Sequence, residues 1–242
     1  MTAVSPQLPL DVRLDVEARF DTFFVGPNEA AFAALTHLAA PGVWLAGPPQ
    51  SGRSHLLQAV ATESEERPAI FLPLDQSLPP ESIDGFPGGM TICLDNIDAV
   101  IGNGEWERAL LLLWEQLIKS EGRLVVSAGG VVSDLPFALD DLKSRMSALP
   151  SYQLRLPDDG GQLAALKRRA ESRGLRLSDD AAAYMLRRLP RSLAVLFEWL
   201  SVLDQHALGA SRQLTLPFVR DIVTASAGDI DAARAQATGH SD

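Results

Sequence analysis

The chain has 242 residues, enough for one large domain or two small ones, and 46% of them are hydrophobic, as in ordinary globular proteins. Its net charge of -10 argues against a duplex-DNA binder, because such proteins carry a basic surface. The single cysteine, Cys93, rules out an internal disulfide and favours a cytoplasmic protein. The first residues lack the pattern of a secretory signal, and the apolar stretch 109–114 is too short to span a bilayer.

The N-terminal part predicts a flexible tail followed by a helix. Two prolines disfavour a helix in residues 1–15. A helix is expected to begin near Asn28, which is a good N-cap residue. Its apolar face would carry Phe32, Leu35 and Leu38.

Apolar strands then alternate with helical patterns. Strands are predicted at 43–46, 69–74, 91–95, 123–127 and 152–156, and helices at 54–61 and 105–120. This alternation predicts an α/β fold with a parallel five-stranded sheet covered on both faces. After Pro157 no strand is evident, and helices are predicted at 158–172, 178–188, 191–207 and 215–225. The predicted divisions are a tail (1–15), an α/β domain (16–156), a small all-helical domain (157–226) and a disordered tail (227–242).

A glycine-rich loop follows the first strand, with the sequence Gly47-Pro-Pro-Gln-Ser-Gly52-Arg53-Ser54. It fits the P-loop pattern except that arginine replaces lysine, and it has the required strand before it and helix after it. Glycines let backbone N–H groups approach phosphates, and the new helix points its positive end at them. Arg53 keeps the positive charge, although it is longer and planar, and Ser54 would reach a magnesium ion. A chance turn is disfavoured because a matching carboxylate lies downstream.

That carboxylate is Asp95, at the end of the strand 91–95, where it would orient magnesium. The next residue is Asn96, whose neutral amide cannot act as a base, whereas many related ATPases have a glutamate there. Asp98 is at least as well explained as an ordinary turn carboxylate as by a catalytic role.

Five segments, in order, resemble the DnaA-related AAA+ proteins, and among them the Hda family of regulators. They correspond to the adenine-site segment, the P-loop with its helix, the arginine-finger segment, the sensor-2 helix and the last helix, and they cover 19–28, 44–57, 142–145, 189–197 and 214–220. The resemblance implies an AAA+ P-loop module followed by a helical lid domain. It implies nucleotide contacts from Phe24, Val25, Gly47, Gln50, Ser51, Gly52, Arg53, Ser54, His55 and Arg191. Magnesium, if present, would be bound by Ser54 and Asp95.

Three features favour the regulators over DnaA itself. The sequence contains no basic helix-turn-helix region after the lid, and only about fifteen residues separate the second strand from the Asp95 strand. The third feature is Gln7-Leu8-Pro9-Leu10, which resembles a motif that binds the DNA sliding clamp, the beta subunit of DNA polymerase III. Such an extended segment would insert Gln7, Leu8 and Leu10 into an apolar pocket. Asp11 departs from the motif, so an ordinary tail remains the alternative.

The resemblance implies a regulator that binds adenine nucleotide, with ADP expected, and stimulates hydrolysis of DnaA-bound ATP, preventing re-initiation. Arg145 would be the arginine finger acting in trans; the other interpretation is a surface salt bridge. No autonomous ATPase activity is expected, for three reasons. Asn96 stands in place of the glutamate, Arg53 replaces the P-loop lysine, and the sensor-1 segment 126–130 offers only Ser127 as a polar side chain. The alternatives are an active AAA+ ATPase, such as a helicase loader, and a scaffold with a vestigial pocket. Neither a membrane nor specific DNA is an expected partner, and a homo-oligomer is left open. Three tryptophans should pack in the core: Trp106, Trp114 and Trp199.

Overall fold

A computed structural model of the protein describes residues 17–38, 41–64, 67–190, 192–207 and 212–225. The tail with Gln7, Leu8 and Leu10, the proposed nucleotide ligand Arg191 and residues 227–242 lie outside the described residues. The chain divides into two compact units, residues 1–156 and 157–242. None of the described helices is long and apolar enough to cross a membrane.

Five parallel strands form the sheet of the first unit. They are β1 (Gly42–Ala46), β2 (Ala69–Pro73), β3 (Thr91–Asp95), β4 (Arg123–Ala128) and β5 (Ser151–Gln153). Their order is β2-β3-β4-β1-β5, and every neighbouring pair is parallel. The predicted parallel five-stranded sheet is confirmed. The order places β4 between β1 and β3, so the loops that follow these strands meet at one edge of the sheet.

Helices cover both faces of this sheet. They are α1 (Glu29–Thr36), α2 (Arg53–Glu63), α3 (Gly104–Lys119) and α4 (Asp140–Ser147). Neighbouring residues of β1 belong to different cores: Leu45 packs with α1 and α2, and Trp44 packs with α3 and α4. Because β1 is buried on both faces, its sequence is a continuous apolar run. Trp106 and Trp114 lie in the α3 core, as predicted.

The second unit contains α5 (Asp159–Ser172), β6 (Arg176–Leu177), α6 (Asp179–Arg188), α7 (Leu193–His206), β7 (Gln213–Leu214) and α8 over residues 216–225. It has its own apolar core, which includes Trp199. The predicted helices are present. The parallel pairing of β6 with β7 is a correction, because the sequence predicts no strand here. A strand of two residues is too short to show the alternation that identifies strands.

Candidate nucleotide-binding site

The glycine-rich loop leaves β1 at Gly47, where the backbone is tightly packed. The Gly47 N–H donates to the Ala128 carbonyl of β4 at 3.1 Å. A Cβ atom at Gly47 would lie 2.7 Å from Ser51 Oγ and 3.1 Å from Leu154 Cβ, closer than ordinary contacts. A larger residue would require Ser51 or Leu154 to shift, so glycine lets the loop pack closely at the end of β1.

The second glycine, Gly52, ends the loop and begins α2. Its φ of +93° lies in the left-handed region, and a Cβ atom would come within 2.6 Å of the Phe23 ring. Gln50 also has a positive φ, of 67°, and is exposed. The first intrahelical bond runs from the Leu56 N–H to the Gly52 carbonyl, at 3.0 Å. The positive end of α2 therefore lies at the loop, as phosphate binding requires.

Two buried polar atoms in the loop have no hydrogen-bond partner among the described residues: Ser51 Oγ and Arg53 Nη1. A buried polar group without a partner costs about 1–3 kcal/mol. An oxyanion held by the loop would supply acceptors of the kind that these donors lack. Ser54, one residue further along α2, is exposed. These residues and the two glycines fit a phosphate group, although the lysine of the usual motif is replaced.

Asp95 is fixed at the end of β3 by a side chain of β4. The Ser127 hydroxyl donates to Asp95 Oδ1 and accepts from the Asn96 N–H at 3.0 Å. Asp95 is 2% exposed and Ser127 is fully buried. With one strand between them, β1 and β3 are about 10 Å apart. Asp95 is thus held at the sheet edge that carries the glycine-rich loop.

The turn after Asp95 offers little for water activation. Asn96 has a φ of 58°, a conformation that asparagine tolerates better than most residues. Asp98 Oδ2 accepts a hydrogen bond from the Gly129 N–H at 3.0 Å. This bond ties the turn to the end of β4, which favours the structural interpretation of Asp98. Sequence reasoning did not foresee that Ser127 and Asp98 both connect β3 to β4.

The expected adenine segment, residues 19–28, packs against α1 and α2. The Phe23 ring stacks on Phe32 with centroids 6.1 Å apart and lies 5.5 Å from the His55 ring. His55 Nε2 lies 2.8 Å from the Arg19 carbonyl oxygen. His55 therefore anchors this segment to α2. The two predicted adenine contacts, Phe24 and Val25, are both partly exposed.

The side chain of Asn28 does not cap α1, which corrects the sequence prediction. It is buried and bonds both polar groups of the Arg155 backbone instead. These bonds join the expected adenine segment to the chain just after β5. The sequence pattern around Asn28 indicates only a local cap, so it does not reveal this contact with a residue far along the chain.

Arg145 lies in the last turn of α4. Its Nη2 is 3.4 Å from Asp141 Oδ1 in an i,i+4 ion pair, and the two side chains are 50% and 56% exposed. The surface salt bridge considered from the sequence is therefore present. An exposed pair of this kind contributes only about 0.3–0.5 kcal/mol, so it does not prevent Arg145 from contacting another protein.

A buried glutamate that sequence reasoning missed positions the start of α4. Glu107, in the first turns of α3, is 0% exposed. Its Oε1 accepts from the Gly102 and Ala138 N–H groups at 2.8 and 2.9 Å, and its Oε2 accepts from the Leu139 N–H at 2.6 Å. Leu139 directly precedes α4. An acidic residue near a helix start is usually exposed, which explains why the pattern gave no signal.

No cluster of three or more His, Cys, Asp or Glu side chains that could hold a metal occurs among the described residues. Ser54 and Asp95 offer only two protein ligands. Magnesium at this edge of the sheet would therefore take most of its six oxygens from phosphate and water, as is usual for this ion.

Comparisons with known proteins find a related lid sequence and similar folds. Residues 159–223 match the family model described as Hda, lid domain. Domain III of the replication initiation protein DnaA from Thermotoga maritima is 16% identical, with a TM-score of 0.68 over 88% of this chain and 98% of that one. The AMPPCP-bound DnaA of Aquifex aeolicus is also 16% identical, with a TM-score of 0.62 over 82% and 67% of the two chains. The RuvB branch migration motor of Thermotoga maritima is 17% identical, with a TM-score of 0.58 over 80% and 64%.

Proposed function

We propose that this chain is a DnaA-related AAA+ protein that regulates replication initiation and holds adenine nucleotide without rapid hydrolysis. The match of residues 159–223 to the Hda lid model and the DnaA-like fold support this proposal. The observation that carries this proposal is the turn after β3. Asp95 is bonded to Ser127, Asn96 is neutral, and Asp98 Oδ2 is bonded to the Gly129 N–H. Nucleotide binding, which depends on the backbone and on Arg53, does not require a base, whereas water activation does.

The nucleotide itself would be ADP in the working form. The loop from Gly47 to Ser54 would hold the α- and β-phosphates, and Phe24 and Val25 would contact the adenine. Arg53 suits a β-phosphate better than a γ-phosphate, because its planar group cannot act as a compact point charge. The AMPPCP-bound structure of the Aquifex aeolicus protein supports an adenine nucleotide as ligand of this fold.

The test is a titration of the purified chain with ADP and ATP, followed by an ATPase assay. We expect ADP to bind at least as tightly as ATP and turnover to be negligible. Replacing Arg53 by alanine should weaken ADP binding about tenfold or more, since it removes a charge-assisted hydrogen bond. Arg108, which is exposed on α3, provides the matched control as Arg108→Ala.

Two results would favour the other functions. Brisk ATP hydrolysis by the isolated chain would identify an active AAA+ ATPase. Failure of both nucleotides to bind would identify a scaffold with a vestigial pocket.

The regulatory action would be exerted on DnaA by Arg145. Arginine suits this role because its planar group is always charged and can bond two γ-phosphate oxygens at once. The support is that Arg145 is half-exposed on α4, while Glu107 holds the residue before that helix. An arginine finger must be accessible to the partner protein, and the backbone that carries it must be held firmly.

The sliding clamp would bring the regulator to DNA. Gln7, Leu8 and Leu10 would bind the clamp, and this part of the proposal rests on the sequence motif alone. It is tested separately because the remaining proposal does not depend on it.

A further inference from the structure

A cavity of about 420 Å³ opens at the opposite edge of the sheet from the glycine-rich loop. Thr91 and Arg123 line it; they are the first residues of β3 and β4 and pair in register. Strands of this length span about 15 Å at 3.3 Å per residue, so a ligand here would not touch the nucleotide phosphates. The volume lies within the range of small-molecule sites, about 300–1,000 Å³.

Two side chains of the cavity contain buried polar atoms that have no hydrogen-bond partner among the described residues. Thr91 is 1% exposed, and its hydroxyl has no hydrogen bond within the described part of the chain. Arg123 Nε is buried and likewise has no partner there. Polar groups at such positions are nearly always satisfied in folded proteins, by protein, water or ligand. Because Thr91 and Arg123 pair in register, the hydroxyl and the guanidinium N–H supply two donors from adjacent strands.

One acidic residue, Glu63, also lines the cavity, and its Oε1 has neighbouring donors of its own. Its Oε1 accepts from the Phe20 N–H at 2.8 Å and lies 3.8 Å from Arg19 Nε. Glu63 therefore faces donors of its own and leaves the Arg123 charge available. Leu35 of α1 and Val60 of α2 also line the cavity. The other lining residues are Phe20, Thr36, His37, Leu38 and Ser64.

We propose that this cavity binds a compact oxyanion, a carboxylate or phosphate group of a small molecule, through Arg123 Nε and the Thr91 hydroxyl. Arginine bonds such groups with two parallel N–H donors, which fits them better than a point charge does. The site is also linked to the proposed nucleotide site. Helix α2 begins at the glycine-rich loop and ends at Glu63, which holds Phe20 at the start of the expected adenine segment.

The experiment titrates the full chain with inorganic phosphate and, separately, with malonate, and follows binding by calorimetry and by the thermal unfolding midpoint. Four variants are compared with the wild type: Thr91→Val, Arg123→Gln, Arg53→Gln and Arg108→Gln. Valine keeps the shape of Thr91 and removes the hydroxyl, so this variant is expected to fold. Arg53→Gln removes a charge from the glycine-rich loop, which is the competing phosphate site.

Saturable binding of at least one probe is expected in the wild type, in Arg108→Gln and in Arg53→Gln. Thr91→Val and Arg123→Gln should each raise the dissociation constant about tenfold or more, as loss of a charge-assisted bond does. A preference for phosphate over malonate, or the reverse, would identify which oxyanion the cavity takes. Binding that is lost in Arg53→Gln but kept in Arg123→Gln would assign the ion to the glycine-rich loop and overturn the proposal. Absence of saturable binding by both probes would also overturn it.

Discussion

Asn28 and Arg155 are joined by two hydrogen bonds although 127 residues separate them. The Arg155 N–H donates to Asn28 Oδ1 at 2.8 Å, and Asn28 Nδ2 donates to the Arg155 carbonyl at 3.1 Å. Leu154, next to Arg155, contacts the position where a Cβ atom of Gly47 would lie. The Asn28 side chain therefore connects the expected adenine segment to Arg155, whose neighbour Leu154 packs against the first glycine of the glycine-rich loop.

Replacing Asn28 by alanine should lower the free energy of unfolding by about 2 kcal/mol or more, since two backbone groups lose their partner. It should also weaken ADP binding. Urea unfolding and an ADP titration measure the two effects. The control is Asn103→Ala, which removes a local cap of α3 and should cost about 1 kcal/mol without changing ADP affinity. Normal ADP affinity in Asn28→Ala would show that the connection does not serve the nucleotide site.

Glu107→Gln should destabilise the protein by about 1–3 kcal/mol. The two carboxylate oxygens of Glu107 accept from three backbone N–H groups, and glutamine replaces one of these oxygens with an NH₂ group that cannot accept. We also expect weaker stimulation of DnaA ATP hydrolysis, since the residues before α4 would be less well held. The comparison is Glu105→Gln, an exposed neighbour on the same helix. Equal unfolding midpoints in urea for the two variants would contradict the structural role of Glu107.

Arg145→Ala should abolish most stimulation of DnaA-bound ATP hydrolysis, because arginine fingers contribute about 10³- to 10⁵-fold in rate. The assay measures hydrolysis of DnaA-bound ATP in the presence of DNA-loaded clamp. Arg145→Lys should not restore the activity, since a point charge does not reproduce the bidentate geometry. Stability should change by less than about 0.5 kcal/mol, because the ion pair with Asp141 is exposed.

Asp141→Asn is the matched control for Arg145, since it breaks the same ion pair and keeps the arginine. Stimulation should survive in this variant. If Arg145→Ala stimulates ATP hydrolysis as well as the wild type does, Arg145 is not an arginine finger that acts on DnaA in trans.

Gln7→Ala combined with Leu8→Ala should remove binding to the sliding clamp, since anchors of this type typically contribute about 2 kcal/mol or more. The unfolding free energy and ADP affinity should stay unchanged. A titration against purified clamp checks this. Unchanged clamp affinity would show that Gln7 and Leu8 belong to an ordinary tail and do not bind the clamp.

Cys93 should not react with thiol reagents in the native state. It is fully buried in β3, and burial, with the negative charge of Asp95, raises the pKa of its thiol. The reactive thiolate is therefore disfavoured at neutral pH and should appear only on unfolding. Labelling over a urea series should follow the unfolding curve; rapid labelling in buffer alone would contradict the burial of β3.

The sequence predicted β1, β3 and β4 well because these strands are almost entirely buried and mostly apolar. The bounds of β3 agree with the expected residues, and β5 ends three residues earlier than expected. The pairing of β6 with β7 in the second unit was not predicted, because strands of two residues are too short to show an alternation of apolar and polar side chains. Helical segments of the lid, by contrast, carry caps such as Ser178, whose side chain accepts from the Ala181 N–H.

The chemistry-bearing residues were easier to find than their supports. Gly52 and Asp95 are visible because they follow apolar strands at fixed spacing. Glu107 and Asn28 are not visible, because their partners are backbone groups distant in sequence, and both residue types have common local roles. Arg53 is visible as the departure from the P-loop pattern, whereas only the structure shows that its Nη1 has no partner among the described residues.

The pairing of β6 with β7 makes unfolding of the second unit more cooperative. It joins Leu177 to Leu214, so α6 and α7 lie within a loop of chain whose ends are fastened together. The buried residues Val219 and Val223 of α8 belong to the same core. Fraying of one helix would therefore disturb contacts of all the others, and amide hydrogens of α6, α7 and the ladder should exchange through one shared opening event rather than helix by helix.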